Sequence, residues 1–565
     1  MKKQIVSSAL FSALLAGLIA CGESPKPEVV GFPDIDGNLV LQHTKVLASD
    51  EFEGRAPGTK GEDLTVNYIV EQFTQVGLKP GNTNGTYIQD VPLVGITADP
   101  AFTMDFKKGS QDLKLKFKDD FVAWTKRVTD KVEVSNSELV FVGYGVQAPE
   151  FNWDDYKGAD LKGKTLLMLV GDPPVPDPAD PAQLDPKTFG GRAMTYYGRW
   201  TYKYEIGAKM GADAVLIVHE TEPAGYPFSV VQSKVTEQFD LVAPDKNMSR
   251  VSVEGWITLD KARELFKLAG KDYDALKKEA LSRDFKPVPF ATTAAMKESN
   301  TIRTIASRNV VGKLEGGDPK LKDEYVIYTA HWDHYGIGPE INGDKIYNGA
   351  QDNATGIGGM IEIARAFAKL PTRAKRSILF LAVTAEEQGL LGSEYYARTP
   401  IYPLARTLAV VNMDSLNCYG KTRDLSVVGL GNSDLDDYAR QILGEQGRVV
   451  QPDPAPEKGS YYRSDHFPFA KQGVPALASG AGSDYIGKPA GYGQQVREEY
   501  TAKHYHKPSD EVRPDWDMSG AVQDLQFYWM MGYRVVQAGQ YPQWKPGTEF
   551  KATREAQLKA AGVQQ

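Results

Sequence analysis

Cysteine is nearly absent from this 565-residue chain, which has only Cys21 and Cys418. A disulfide framework is therefore not what holds it together, and a chain of this length can bury a large core without one. A basic excess is also lacking. The formal net charge is −8, without the basic footprint that marks nucleic-acid binders, so no nucleic-acid partner is expected. Long apolar runs are confined to Ile5 to Ala20, short for a membrane span and sized for the core of a signal peptide. No later run is long enough to cross a bilayer.

That N-terminal run follows Lys2 and Lys3 and ends Leu18-Ile19-Ala20-Cys21-Gly22. The ending resembles a bacterial lipobox, which implies cleavage before Cys21 and acylation of that residue. An ordinary secretory signal that happens to hold a cysteine is the other reading. Residues 1–21 are then a signal segment with its lipidated cysteine, and 22–30, with Pro25 and Pro27, form a tether. The expectation is an exported lipoprotein of the cell envelope, held to a membrane by its lipid alone. Gly22 is compatible with the outer membrane. With Cys21 acylated no intramolecular disulfide remains, and Cys418 reads as a small buried residue.

Three blocks follow. In residues 31–129, Tyr68, Ile69, Phe73 and Val76 share one face of a helical stretch that Gly77 stops, and short, turn-rich strand candidates come after it. Residues 130–291 alternate strands and a helix without a catalytic cluster, which predicts a small β-rich α/β insert. Residues 292–545 show a plain α/β pattern. Tyr325 to Ala330, Ser377 to Thr384 and Thr407 to Asn412 are continuous apolar runs, as in strands buried on both faces. Between the first two, Ile357, Met360, Ile361, Ala364, Phe367 and Ala368 recur at helical spacing, with Glu362, Arg365 and Lys369 opposite. This alternation predicts an α/β fold with a mostly parallel central sheet flanked by helices. Residues 546–565 read as a polar, helix-prone tail.

Five of the seven histidines lie between His331 and His506, and acidic residues follow the strand candidates, at the sheet edge where open α/β folds bind ligands. The first strand runs into His331-Trp332-Asp333-His334. Asp333 can reach the far ring nitrogen of His331 and orient it as a metal ligand, or the two can simply pair. Asp352 opens the next helix, either as a helix-start residue or as a carboxylate bridging two metal ions. Glu386-Glu387 follows the second strand, where one side chain can bind metal while the other faces a substrate; a charged helix start is the alternative. The third strand ends in Asn412-Met-Asp414. His506, with Asp510 as partner or cap, is preferred to His504 as a further ligand. Taken together, His331, Asp352, Glu387, Asp414 and His506 offer only nitrogen and oxygen donors. That set suits two zinc ions, with cobalt or manganese as alternatives, and leaves Glu386 free as a general base.

The motifs His331-x-Asp333, Asp352-Asn-x-x-Gly356, Glu386-Glu387, Asn412-x-Asp414 and Tyr505-His506-x-Pro-x-Asp510-Glu511 resemble, in order, those of the di-zinc exopeptidases that include bacterial leucyl aminopeptidases, aminopeptidase Y and glutamate carboxypeptidase. The resemblance implies one zinc on His331, Asp352 and Asp414 and a second on Asp352, Glu387 and His506. It further implies Glu386 as base and Asp333 as the partner of a ligand. It extends to Glu53-Gly-Arg-Ala-Pro-Gly-Thr59 and, in the insert, to a protease-associated domain. His466, within Arg463-Ser-Asp-His-Phe-Pro-Phe469, is either a substrate-pocket residue or a structural histidine. Asn417 departs from the glycine common in that family. The implied activity is removal of N-terminal residues from peptides through a zinc-activated bridging water. A single-zinc glutaminyl cyclase and a non-catalytic receptor module are the rival readings.

Overall fold

The computed structural model describes residues 31–233 and 237–563; the expected signal segment, Cys21 and the tether lie outside the described residues. Two helices lead the fold, α1 (Gly37–Leu47) and α2 (Lys60–Val76). Helix α2 carries Glu62 and Asp63 in its first turn, where negative charge suits the helix dipole. It ends at Gly77, whose φ of 90° suits a residue without a Cβ.

Two sheets follow, joined by one long strand. Their main strands are β1 (Ile88–Ala98), β2 (Thr103–Lys108), β3 (Phe121–Trp124), β4 (Lys131–Phe141), β5 (Thr165–Leu169), β6 (Ala214–His219), β7 (Gln238–Leu241), β8 (Val253–Thr258), β9 (Val288–Leu314), β10 (Tyr325–His331), β11 (Ser377–Val383), β12 (Thr407–Asn412), β13 (Asp424–Val428), β14 (Val449–Pro452) and β15 (Ala476–Gly480). The later helices used below are α3 (Trp200–Lys209), α4 (Thr355–Ala368), α5 (Leu391–Arg398), α6 (His466–Lys471), α7 (Ser519–Gln537) and α8 (Lys551–Ala560).

The centre of the main sheet is four parallel strands in the order β11-β10-β12-β15. It is extended antiparallel by β9, β1 and β7 on one side and by β13 on the other, with β14 parallel beyond β13. Every residue of β10, β11 and β12 is buried, which accounts for their unbroken apolar character. Alternate side chains serve opposite layers. Tyr328 stacks on Phe380, contacts Phe367 of α4 and donates to the Tyr528 carbonyl of α7. Ile327, Leu379, Leu381 and Val410 join the other layer, with Tyr396 of α5 and Phe469 of α6.

The second sheet is built on parallel strands β4-β5-β6-β8, with β3 antiparallel at the β8 edge. Residues 288–299 of β9 pair with β4 and β2, whereas Asn300 onward pairs with β1 and then β11. The sheet pairing does not follow the boundary expected at 130. Strands β2 and β3, expected to belong to the peptidase domain, pair within the second sheet, and the 292–545 block lends it the start of β9. Conversely β7, expected inside the insert, pairs with β1 of the main sheet. Strand pairing is a long-range property, and neither composition nor spacing marks it.

Glu362 also differs from expectation. It is 1% exposed, paired with Arg365 on a helix that α1 covers. The polar C-terminal segment forms α8, whose buried Arg554 donates to the carbonyls of Leu404 and Thr407.

Candidate active site

The site lies at the C-terminal ends of the parallel strands. His331 is the last residue of β10, Glu386 and Glu387 follow β11, and Asp414 follows β12. Asp352 comes from the buried turn before α4, and His506 from a loop in which it has a φ of 57°.

These side chains converge on Asp352. His331 Nε2 lies 3.2 Å from Asp352 Oδ1 and 3.3 Å from Asp414 Oδ1. On the other side, His506 Nε2 lies 3.4 Å from Asp352 Oδ2 and 3.2 Å from Glu387 Oε2. Each oxygen of one carboxylate thus faces a different imidazole. Burial alone would depress both histidines. The carboxylates around them override it, raising His331 well above its ordinary value and His506 to about 9. Such a concentration of buried negative charge favours a cation, and its oxygen and imidazole donors fit divalent metal ions of the zinc type. Two donor triads meet this requirement, His331 with Asp352 and Asp414, and His334 with Asp352 and Glu387. His334 did not stand out from the sequence.

The supporting contacts differ from those expected. The Asp333 carboxylate lies 3.8 Å from His331 Nδ1, which instead meets the Asp333 carbonyl at 3.2 Å. The carboxylate accepts the backbone N–H groups of Glu386 and Glu387, at 3.0 and 3.4 Å. Burial, with Glu387 adding to it, raises Asp333 to about 7. Asp510 does not partner His506 either. Its oxygens accept the N–H groups of Gln351 and Asp352 and the hydroxyl of Tyr500. The backbone turn at His506 carries Asp510 beneath the Asp352 loop, and the ring Nδ1 of His506 is met by Tyr335 Oη at 3.1 Å. His504 bonds the carbonyl of Ser509.

Ser464 and Arg55 were not singled out by sequence reasoning. Asn412 Nδ2 donates to Ser464 Oγ, which in turn donates to Asp414 Oδ2 at 2.6 Å. His466, open to a pocket or a structural role, is 1% exposed, sits at the start of α6 edge-on to Tyr461 and is pushed down to about 3 by burial, as a structural histidine would be. Ser464 is the member of that segment that reaches the site. Arg55, 1% exposed, donates to the carbonyls of Leu47, Trp332, Asn348 and Gly349, fastening the loops of His331 and Asp352 together. Its place in the Glu53 to Thr59 motif was the available signal. Asn417 closes a turn with Gly420 and Tyr485, and Cys418 is buried.

Residues 309–530 match peptidase family M28. The candidate metal-binding side chains all lie within the matched residues. The chain is similar to probable leucine aminopeptidase 2 of Aspergillus oryzae, 24% identical over 395 residues, covering 70% of this chain and 61% of that protein. It also resembles leucine aminopeptidase 2 of Trichophyton rubrum, 25% identical over 217 residues, 36% of this chain and 40% of that one. The chain thus spans less than two thirds of these relatives. Among solved structures it resembles an aminopeptidase from Aneurinibacillus sp. strain AM-1, with 20% identity, a TM-score of 0.48, and coverage of 91% and 95% of the two chains.

Proposed function

We propose that this protein is a zinc-dependent aminopeptidase that removes N-terminal residues from peptides and holds two zinc ions. The observation that carries the reading is Asp352, one oxygen facing His331 and the other facing His506. In this reading His331, Asp352 and Asp414 hold one ion, and Asp352, Glu387 and His506 hold the other. Bound there, such ions would supply Lewis acidity to activate a water and to stabilise negative charge on the substrate carbonyl oxygen.

The protein's own part is positioning and proton transfer. Glu386 adjoins Glu387 at the end of β11, and Asp333 holds the backbone N–H groups of both. Burial, joined by the negative charge of Glu387, Asp414 and Asp465, raises the Glu386 carboxyl well above its usual range against the pull of His331. A carboxyl placed beside the metal donors suits proton transfer to and from the reacting groups. It takes a proton from the attacking water as the carbon–oxygen bond forms, and delivers it to the amine as the carbon–nitrogen bond breaks. Ser464 and Tyr335 fix Asp414 and His506 in orientation.

The choice of the amino terminus rests on the leucine aminopeptidases the chain resembles. The convergence of a full donor set weighs against a non-catalytic module. The reading predicts about two zinc ions per chain, cleavage of free-amino peptides and aminoacyl anilides, inertness toward N-blocked peptides, and loss of activity with chelator. Zinc-loaded protein inert on a broad panel of peptides would defeat it, and one zinc per chain with ring closure of N-terminal glutamine would favour the cyclase. The lipobox-like sequence around Cys21 supports anchoring in the cell envelope, tested by mass spectrometry of the mature N-terminus.

A further inference from the structure

We infer that Arg199, from the segment leading into α3, and Arg463, from the loop before α6, form a carboxylate-binding site beside the reacting centre. Its ligand is a carboxylate on the leaving side of the substrate, either the free C-terminus of a short peptide or an acidic side chain. The inference rests on the aminopeptidase reading above and names a substrate class for it.

The two arginines are brought together where the second sheet docks on the peptidase core. Met194 donates its N–H to the Pro456 carbonyl at 3.1 Å, and the Tyr196 ring lies 4.9 Å from that of Phe467. Arg192 pairs with Glu457 at 3.2 Å and Lys471 with Glu205 at 2.6 Å. These contacts fix residues 192–205 across residues 456–471. Arg199 follows the docked turn and lies on Gly459, where a Cβ would come 3.3 Å from its Cδ. Arg463 closes the next turn of the same segment, its N–H bonded to the Ser460 carbonyl at 3.2 Å.

The pair lacks a counter-charge. Among the described residues neither Arg199 nor Arg463 forms an ion pair, unlike Arg192 and Lys471 beside them. The Nε of Arg199 is buried without a hydrogen-bond partner. Burial lowers Arg199 to about 10, and after burial the strongest influences on it are Arg463 and the hydroxyls of Tyr226, Tyr196 and Tyr462, with no carboxylate among them. It keeps its charge at neutral pH. Tyr196 and Tyr462 already donate to Glu205 and Glu549. The Tyr226 hydroxyl is pushed up by burial and feels both guanidiniums, so it stays a neutral donor. Two like charges side by side, one with a buried unpaired N–H, are unfavourable alone. Planar guanidiniums match a carboxylate in both shape and charge.

Arg463 also borders the reacting centre. The next residue, Ser464, meets Asp414 at 2.6 Å. On the other flank is Tyr505, whose ring stacks on His506 with centroids 3.6 Å apart; burial pushes its hydroxyl up and Arg463 opposes that. Arg463 itself is exposed, so a substrate can reach it. Two cations repel the ammonium of a peptide's N-terminus. The group they attract therefore belongs to the part that leaves, and in a dipeptide that part carries a carboxylate.

The test compares kcat/KM of the zinc-loaded full chain on Leu-Gly against Leu-Gly-amide, and on Leu-Glu-amide against Leu-Gln-amide. At least one charged substrate should be preferred about 10- to 100-fold, the worth of a charge-assisted hydrogen bond; the first ratio reports a C-terminal carboxylate and the second an acidic side chain. In Arg463→Gln and Arg199→Gln the preferred ratio should collapse toward one, while Arg463→Lys should retain part of it. Ratios near one in the unaltered protein, or a preference that survives Arg463→Gln, would overturn the inference and leave the aminopeptidase reading standing. Should Arg199→Gln fail to fold, the exposed Arg463 still decides. An unaltered protein inert on all four substrates would remove both.

Discussion

Asp333 Oδ1 accepts the backbone N–H of Glu386 at 3.0 Å, with Oδ2 turned to that of Glu387 at 3.4 Å. One carboxylate therefore sets the position of both glutamates after β11. Asp333→Ala removes the acceptor and leaves two N–H groups to find other partners. We expect kcat to fall about 100-fold, the cost of misplacing a reacting group by about 1 Å, and the affinity for the second ion to fall as well. Steady-state kinetics combined with zinc titration reads both effects. A variant with unchanged kcat would show that the glutamates are held by other contacts.

Glu386→Gln separates the proposed proton carrier from the metal site. Among the described residues the Glu386 carboxylate is in neither donor triad, so bound metal should stay near the unaltered level. Turnover should drop about 10²- to 10⁴-fold, the usual contribution of a general base. Near-normal turnover at full metal occupancy would assign the base to another group.

The two kinds of information about this protein differ in how local they are. The buried strands β10, β11 and β12 were legible as apolar runs because both faces are covered. His331, Glu387 and Asp414 were legible because each ends or follows such a run, and Asp352 because it opens the next helix. What Asp333 and Asp510 hold was not, since both bind backbone N–H groups, and any residue presents those equally. Tyr335, Ser464 and Arg55 act on side chains or carbonyls far along the chain, and no spacing rule connects them. Residues 103–124 likewise reveal that they form strands without revealing their partner.

Glu298 lies in β9 at the junction of the two sheets and is 4% exposed. Burial raises its carboxyl to about 8, against the small opposing effect of the Thr125 backbone N–H. An unfolded glutamate releases its proton near pH 4.5, while the folded one keeps it to about pH 8. Between these values the unfolded state binds fewer protons, so stability is lost as pH rises through this window. Glu298→Gln is neutral throughout and should be the more stable form at pH 8, by a margin on the order of a few kcal/mol, with little difference at pH 4.5. Thermal melts of both proteins across this range check the sign.

Arg55 presents the hardest substitution to accommodate. Its guanidinium is buried and donates to four carbonyl oxygens, three of them on the Trp332 and Asn348–Gly349 segments that flank the metal-binding residues. Burial lowers it to about 10, while Asp333, Asp510, Asp352 and Glu387 favour its charge, so it stays protonated at neutral pH. Arg55→Lys keeps that charge and loses the planar fork, and a single ammonium does not reach all four oxygens in the same geometry. If Arg55 served only to balance charge, the lysine variant would be close to unaltered in both stability and zinc affinity. If the fork fastens the two loops, stability should fall by about 3 kcal/mol, as buried oxygens are left unmet, and zinc should bind more weakly because His331 and Asp352 are no longer held in register. Chemical denaturation of the metal-free protein and zinc titration of the folded variant separate these outcomes, and we expect the second.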